Sequence, residues 1–301
     1  MKAKFKHASM GVAVAMACAA ALVSAPASAT RLVGLTDKNQ LLSFDSATPL
    51  SITTAAINNL AAGESIVSID FRNPNQQLYG LGSLGNVYAL DAGTGTASLF
   101  ASGVVPGVAG GATYEIDWNP ANNNLRVIGN GAAPNSNRAL TFATGVTAVQ
   151  TALTRADGGG ALDVVGAAYN NNQNGSVAAD LSLYYIDAAS DALFFNKNAF
   201  AGGVLTKIGN LTLGGVLFGI NNQSGFDIAA DGQAFVSWRE NLYGIDLGSG
   251  ALSLKGAIGA NNSNVIGLTA VAAAVPEPET YALMLSGLVA VGAVVRRRAR
   301  R

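Results

Sequence analysis

A pattern that returns about every fifty residues constrains this chain more than any other feature. Asp70-Phe71 is followed, eight positions after the aspartate, by Leu78-Tyr79-Gly80-Leu81-Gly82. Asp117-Trp118 leads at the same offset to Leu125-Arg126-Val127-Ile128-Gly129, and Asp227-Ile228 leads to Phe235-Val236. Downstream of each, a further run ends in a turn: Val87–Asp91 into Gly93-Thr94-Gly95, Arg138–Phe142 into Thr144-Gly145, and Leu242–Asp246 into Gly248-Ser249-Gly250. Leu41–Asp45 and Leu183–Asp187 are shorter echoes, so the turn anchors fall at Asp45, Asp91, Phe142, Asp187 and Asp246, spaced 46, 51, 45 and 59 residues. Each unit is the size of one four-stranded sheet. Short alternating runs punctuated by Gly, Asn and Pro, with no 3.6-residue period between them, predict an all-β five-bladed β-propeller, with a solenoid or a sandwich as the alternatives.

The two ends of the repeat region predict how the ring closes. The first unit, from Arg31, lacks an inner strand, while Asn264–Val271 forms a strand-like run with no unit of its own. Pairing the two would complete the fifth blade with strands from opposite ends of the domain and shield edges that an open array exposes. Within the repeats, Asp70, Asp117 and Asp227 recur once per unit, as do Asp91 and Asp246. Asp70, Asp117 and Asp227 could gather as carboxylates around a central channel, but a residue that recurs in this way reads first as a turn or inter-strand hydrogen-bonding element of the fold.

Both termini carry addresses. Lys2, Lys4 and Lys6, the apolar run from Met10 to Val23, and the small residues Ala27-Ser28-Ala29 form a signal peptide over residues 1–29, recognised by the Sec translocon and cleaved after Ala29. The β-domain then occupies 30–274 and a third segment 275–301. That last segment holds Pro276, Glu277 and Pro278, an uncharged run from Thr280 to Val295, and arginines at Arg296, Arg297, Arg298, Arg300 and Arg301. As a single transmembrane helix the run would span about 24 Å, short of the ~30 Å hydrocarbon layer, with the arginines on the cytoplasmic side.

Removing both ends leaves a body without cysteine or histidine, because Cys18 and His7 lie in the signal segment. Disulfides, Cys/His metal sites and histidine-based nucleophilic catalysis are thereby excluded from it. Carboxylates, lysine, tyrosine or an oxygen-ligated metal such as calcium are what remain, and no motif points to a cofactor. From Thr30 to Ala274 there are sixteen Asp and Glu against ten Lys and Arg, a net −6, so the body offers no basic stripe for nucleic acid.

The tail resembles the PEP-CTERM sorting signal of Gram-negative bacteria. That resemblance implies an exosortase-type partner that cleaves near Pro276, inner-membrane anchoring in transit, and release to the cell surface or medium. The body is similar to a secreted bacterial family of unknown function, number 4394. The similarity rests on Gly63-Glu64, Ile69-Asp70-Phe71-Arg72, Leu78–Gly82, Ile116–Pro120, Leu125-Arg126-Val127 and Asn137-Arg138. Members usually carry Asp-Arg where Asn123-Asn124 stand here, and the family brings no activity with it.

The remaining candidates are few. Gly80-Leu81-Gly82-Ser83-Leu84-Gly85 fits G-x-G-x-x-G as a string, but a strand rather than a helix follows it, so it reads as a glycine hairpin. Asp227–Gly232 lacks the alternating ligands of a calcium loop and reads as a β-turn. Among the acids that do not recur, Glu64, Glu115 and Glu240, the catalytic candidates are Glu115 with Asp117, which share one strand face. The predicted function is a surface-sorted binding module with an extracellular polysaccharide as the ligand class, and the alternatives are a carboxylate- or calcium-dependent hydrolase and a structural surface component.

Overall fold

The computed structural model describes residues 29–102, 105, 113–129, 136–173, 175–197 and 203–271. Ala29 is exposed coil, whereas Ala27, the run 280–295 expected as a transmembrane helix, and the sorting residues Pro276, Glu277, Pro278, Arg296, Arg297 and Arg298 lie outside the described residues. Among the described residues no helix is long and apolar enough to cross a membrane.

The chain opens with β1 (Arg31–Thr36), β2 (Gln40–Asp45) and β3 (Thr53–Ala56). Two four-strand meanders follow: β4 (Ile66–Arg72), β5 (Gln77–Gly82), β6 (Val87–Leu90) and β7 (Ala97–Ala101), then β8 (Tyr114–Trp118), β9 (Asn124–Gly129), β10 (Ser136–Thr141) and β11 (Thr147–Val149). The short β12 (Thr154–Arg155) precedes a third meander of β13 (Val164–Tyr169), β14 (Ser182–Asp187), β15 (Ala192–Lys197) and β16 (Val204–Asn210). A small hairpin, β17 (Thr212–Leu213) and β18 (Val216–Leu217), leads to the fourth: β19 (Ser224–Ile228), β20 (Ala234–Trp238), β21 (Asn241–Ile245) and β22 (Ala251–Ala257). The last strand is β23 (Val265–Ala270).

These strands make five sheets. Blades 1 to 4 have β4, β8, β13 and β19 as inner strands, and blade 5 has the order β23-β1-β2-β3. β23 pairs antiparallel with β1, Leu32 opposite Ala270 and Val33 opposite Thr269, so the two ends of the domain share one sheet. Each inner strand packs against the next around the ring, from β4 through β8, β13, β19 and β23 back to β4. The protein is a five-bladed propeller fastened by its ends.

Alternation along each strand explains the five cores. Successive side chains point to opposite faces, and in a propeller both faces of a blade meet a neighbour. Leu32 thus packs with Phe235 and Leu242 of blade 4, while Val33 packs with Ile66 and Ile69 of blade 1. One apolar cluster fills each of the five interfaces between blades. The inner strands therefore read as continuously buried, β8, β13 and β19 throughout.

Two features depart from the repeat read in the sequence. Asp187 ends β14, the second strand of blade 3, whereas Asp45, Asp91, Phe142 and Asp246 end or follow third strands. The echo at Leu183–Asp187 is one strand out of phase because Ala168 stands in the inner strand where the other units carry a polar residue. Three of the outer edges, those of blades 1, 3 and 4, are also covered. β12 pairs in parallel with β16, β17 pairs in parallel with β22, and Asn58 bridges Thr96. In each case the segment leaving one blade runs along the outer strand of the next, which satisfies an edge that would otherwise be free to template aggregation.

Candidate functional site

One position in the inner strands builds the centre of the ring. Asp70 in β4, Asp117 in β8, Asp227 in β19 and Thr269 in β23 each reach toward the following blade and accept a backbone N–H there. Trp118 donates to Asp70 Oδ2 at 2.7 Å, Tyr169 to Asp117 Oδ2 at 3.3 Å, Ala270 to Asp227 Oδ2 at 2.6 Å and Phe71 to Thr269 Oγ1 at 3.2 Å. The Thr269 hydroxyl donates in turn to Asp70 Oδ1 at 2.8 Å. In blade 3 the position is Ala168, which has no oxygen to offer, and Ile228 N–H turns to its own Asp227 Oδ1 at 2.6 Å. The acids thus latch blade to blade from within strands, and none of the three stands in a turn.

Closing the ring also brings these acids together. One carboxylate oxygen from each of Asp70, Asp117 and Asp227 lies within 4.8 Å of the others, and all three residues are at most 2% exposed. Burial, reinforced by the charge of Asp227, holds the Asp70 carboxyl well above its ordinary range. Burial and then the charges of Asp70 and Asp227 do the same for Asp117. Burial pushes Asp227 up to about 7. These are the effects expected of like charges taken out of water together. Among the described residues no ion pair reaches any of the three. The oxygen-only set is that of a hard cation, and these are the residues that could hold one.

On one side of this cluster the axis opens into a cavity of about 340 Å³, lined by Asp37, Val67, Thr113, Tyr114, Glu115, Asn222, Gln223 and Ile266. The lining comes from the starts of the inner strands, the loops before them, and the β1–β2 turn that carries Asp37. Glu115 sits at the inner end, 5% exposed, and burial raises its carboxyl well above the usual range against a lowering bond from Ser68. Ser68 itself accepts Ile116 N–H at 3.1 Å, repeating the latch one step nearer the mouth. On the other side, past the strand ends, Asn73 Nδ2 donates to Asn172 Oδ1 at 2.5 Å, joining the loops of blades 1 and 3.

Other candidates sit elsewhere. Glu64 fastens the β5–β6 hairpin, taking Leu84 N–H at 3.0 Å, Asn86 Nδ2 at 2.8 Å and the Tyr88 hydroxyl at 2.5 Å. Glu240 lies in the turn between the second and third strands of blade 4, β20 and β21. Asp91 and Asp246 close turns, accepting from Gly93 at 2.8 Å and Gly248 at 2.9 Å. The glycine run joins β5 to β6 with Gly85 at φ 86°, and no helix follows. Asn123, Asn171, Asn261 and Asn262 all adopt positive φ in turns. Arg126, opposite Asp117 in register, donates to the Tyr169 hydroxyl at 3.2 Å and to Asn137 at 2.9 Å. The sequence offers a repeated hydrogen-bonding role for the three aspartates and, as the lesser reading, a gathering around a central channel; the structure shows both.

Comparison with known proteins places the chain in a family. Residues 40–269 match the family described as Domain of unknown function (DUF4394), and the chain belongs to it. Residues 274–301 match the PEP-CTERM protein-sorting motif. The protein is therefore exported, passes through the membrane, and is sorted to the cell surface by exosortase-type machinery. No curated protein matches the sequence. Solved structures resemble it only distantly. A structural genomics protein of unknown function from Bacteroides thetaiotaomicron is 12% identical over 75% of this chain and 49% of its own, with a TM-score of 0.42. The chain thus spans about half the length of that protein. XC5397 from Xanthomonas campestris, a gluconolactonase, is 13% identical over 76% of both chains, with a TM-score of 0.42. The Malassezia sympodialis allergen Mala s 1 is 10% identical over 74% of both, with a TM-score of 0.43.

Proposed function

We propose that this member of the DUF4394 family is a cell-surface binding module that takes part of an extracellular glycan into the axial cavity. The observation that carries the reading is the lining of that cavity. Asn222 and Gln223 bring amides, Thr113 a hydroxyl, Asp37 and Glu115 carboxyls, and Val67, Ile266 and Tyr114 apolar surface. A pocket of mixed donors, acceptors and small apolar patches suits the hydroxyls and C–H faces of a sugar, and a volume of a few hundred Å³ suits one or two rings. Surface sorting supports the class of ligand, since it delivers the module to where exopolysaccharide lies.

The competing reading is a hydrolase, in which Glu115, raised by burial, would serve as the acid and would need an ionised partner across the sugar. The test is to titrate the exported protein with a panel of exopolysaccharide fragments by calorimetry, and to assay the same fragments and simple lactones for turnover. Saturable binding weakened at least fivefold in Gln223→Ala, with no turnover, is the expected result. Turnover that disappears in Glu115→Gln would replace the binding reading with the hydrolase.

A further inference from the structure

We propose that Asp70, Asp117 and Asp227 form a binding site for one divalent cation of the calcium type on the propeller axis. The first support is geometric. Three oxygens from three blades, each within 4.8 Å of the others, lie no more than about 2.8 Å from a common point, so a small inward turn of the carboxylates brings all three to the roughly 2.3–2.6 Å of calcium, whereas the ~2.0–2.1 Å of magnesium asks for a larger one.

The second support is an orphan. Asp117 Oδ2 takes the Tyr169 N–H, but its Oδ1 is fully buried and without a hydrogen-bond partner. It is the one carboxylate oxygen in that condition among the described residues. A buried acceptor left unpaired is costly, and an acceptor aimed into a cluster of like charges is more so. A cation answers both conditions at once. Asp70 Oδ1 already accepts two bonds, from Phe71 N–H and the Thr269 hydroxyl, but Asp70 Oδ2 and Asp227 Oδ2 each take one backbone N–H and keep a lone pair for an ion.

The ring supplies the rest of the case. Thr269 donates to Asp70 and Ala168 contributes no oxygen, so the protein ligands are the three aspartates and the remaining coordination falls to water. An ion there would tie blades 1, 2 and 4 together at the point where all five converge. An exported protein meets calcium at concentrations far above those of the cytosol, and extracellular modules of modest affinity, about 10⁻⁴–10⁻³ M, exploit that difference. The site is independent of the glycan reading, since it lies beneath the cavity and is tested without any sugar.

The experiment uses the purified exported protein, stripped with EGTA and dialysed, then titrated with calcium chloride by calorimetry and followed by thermal unfolding. One calcium per chain, a rise in Tm of several degrees, and a smaller rise with magnesium at equal concentration are expected. Asp117→Asn keeps the acceptor for Tyr169 N–H and should lower calcium affinity at least tenfold, while Asp91→Asn, in a surface turn, should leave it unchanged. Should Asp117→Asn fail to fold, Asp227→Asn serves in its place, and the wild-type titration stands on its own. Absence of saturable calcium binding to the stripped wild type, or binding unchanged in the axial variants, overturns the proposal.

Discussion

Replacing Asp70 by alanine tests the blade-to-blade latch. In the folded ring this carboxylate accepts from Trp118 N–H at 2.7 Å, from the Thr269 hydroxyl at 2.8 Å and from its neighbour Phe71 N–H at 2.7 Å. Phe71 keeps a second acceptor in Thr269 Oγ1, so alanine strands two buried donors and not three. Each stranded donor costs about 1–3 kcal/mol, giving a loss of roughly 2–6 kcal/mol before the relief of repulsion with Asp227 is counted. At about 2–4 °C per kcal/mol for a domain of this size, Tm should fall by at least about 4 °C. Asp70→Asn retains one acceptor oxygen and sheds the charge, so its loss should be less than half as large. The assay is differential scanning calorimetry of both variants in EGTA at pH 7, which keeps cation binding out of the comparison. Alanine and asparagine variants of equal stability, or an alanine variant within 1 °C of wild type, would refute the latch.

In EGTA, unfolding free energy from urea titrations should fall as pH rises from about 4 to about 7. Asp227, raised by burial to about 7, together with Asp70, Asp117 and Glu115, all raised, holds protons in the fold that the unfolded chain releases near pH 4. This contribution is complete below about pH 4 and lost through the folded values, whereas Asp91 and Asp157, held low by hydrogen bonds from backbone and Arg155, act only below that window. A rise in stability over pH 4–7 would contradict the burial of the axial acids. Gly225→Ala places a Cβ 2.4 Å from Leu268 N and 2.5 Å from the Gly267 carbonyl carbon, both backbone, so β19 and β23 must part. It should cost about 1–3 kcal/mol in urea unfolding, while Gly160→Ala, which meets open space, should change stability by less than about 0.5 kcal/mol.

The parts of this molecule that repeat locally were legible in the sequence. Hairpins, turn aspartates and five units follow from short-range chemistry, and the unmatched strands at the two ends led directly to closure. Blade 3 was read out of phase because its inner strand carries Ala168 and Tyr169 in place of an Asp-aromatic pair, and Tyr185-Ile186-Asp187 imitates the third-strand ending of other units. The edge-capping strands β12 and β17 were hidden because two residues in parallel pairing carry no periodicity. The axial cluster was half legible: Asp70, Asp117 and Asp227 are separated by 47 and 110 residues, the radial symmetry of a closed ring turns equal positions into neighbours, and their recurrence once per unit weighed instead toward a purely structural role. Non-recurrence singles out Glu115 and Glu64 alike, and it cannot separate an acid that lines the axial cavity from one that staples a hairpin.

The closed ring is tested most directly by joining β1 to β23 covalently. Val271 N–H bonds to Arg31 O at 2.9 Å, which makes Leu32 and Ala270 the neighbouring pair without hydrogen bonds. Such pairs have Cα atoms about 4.5 Å apart, within the roughly 4.4–6.8 Å that a disulfide spans. Residues 30–301 hold no other cysteine, so Leu32→Cys with Ala270→Cys, digested without reduction, gives an unambiguous mass spectrum. A single disulfide-linked peptide pair from a monomer, formed in nearly every molecule, is the predicted result. Two free thiols in the folded monomer, or disulfides only between chains, would contradict a ring closed by its own ends.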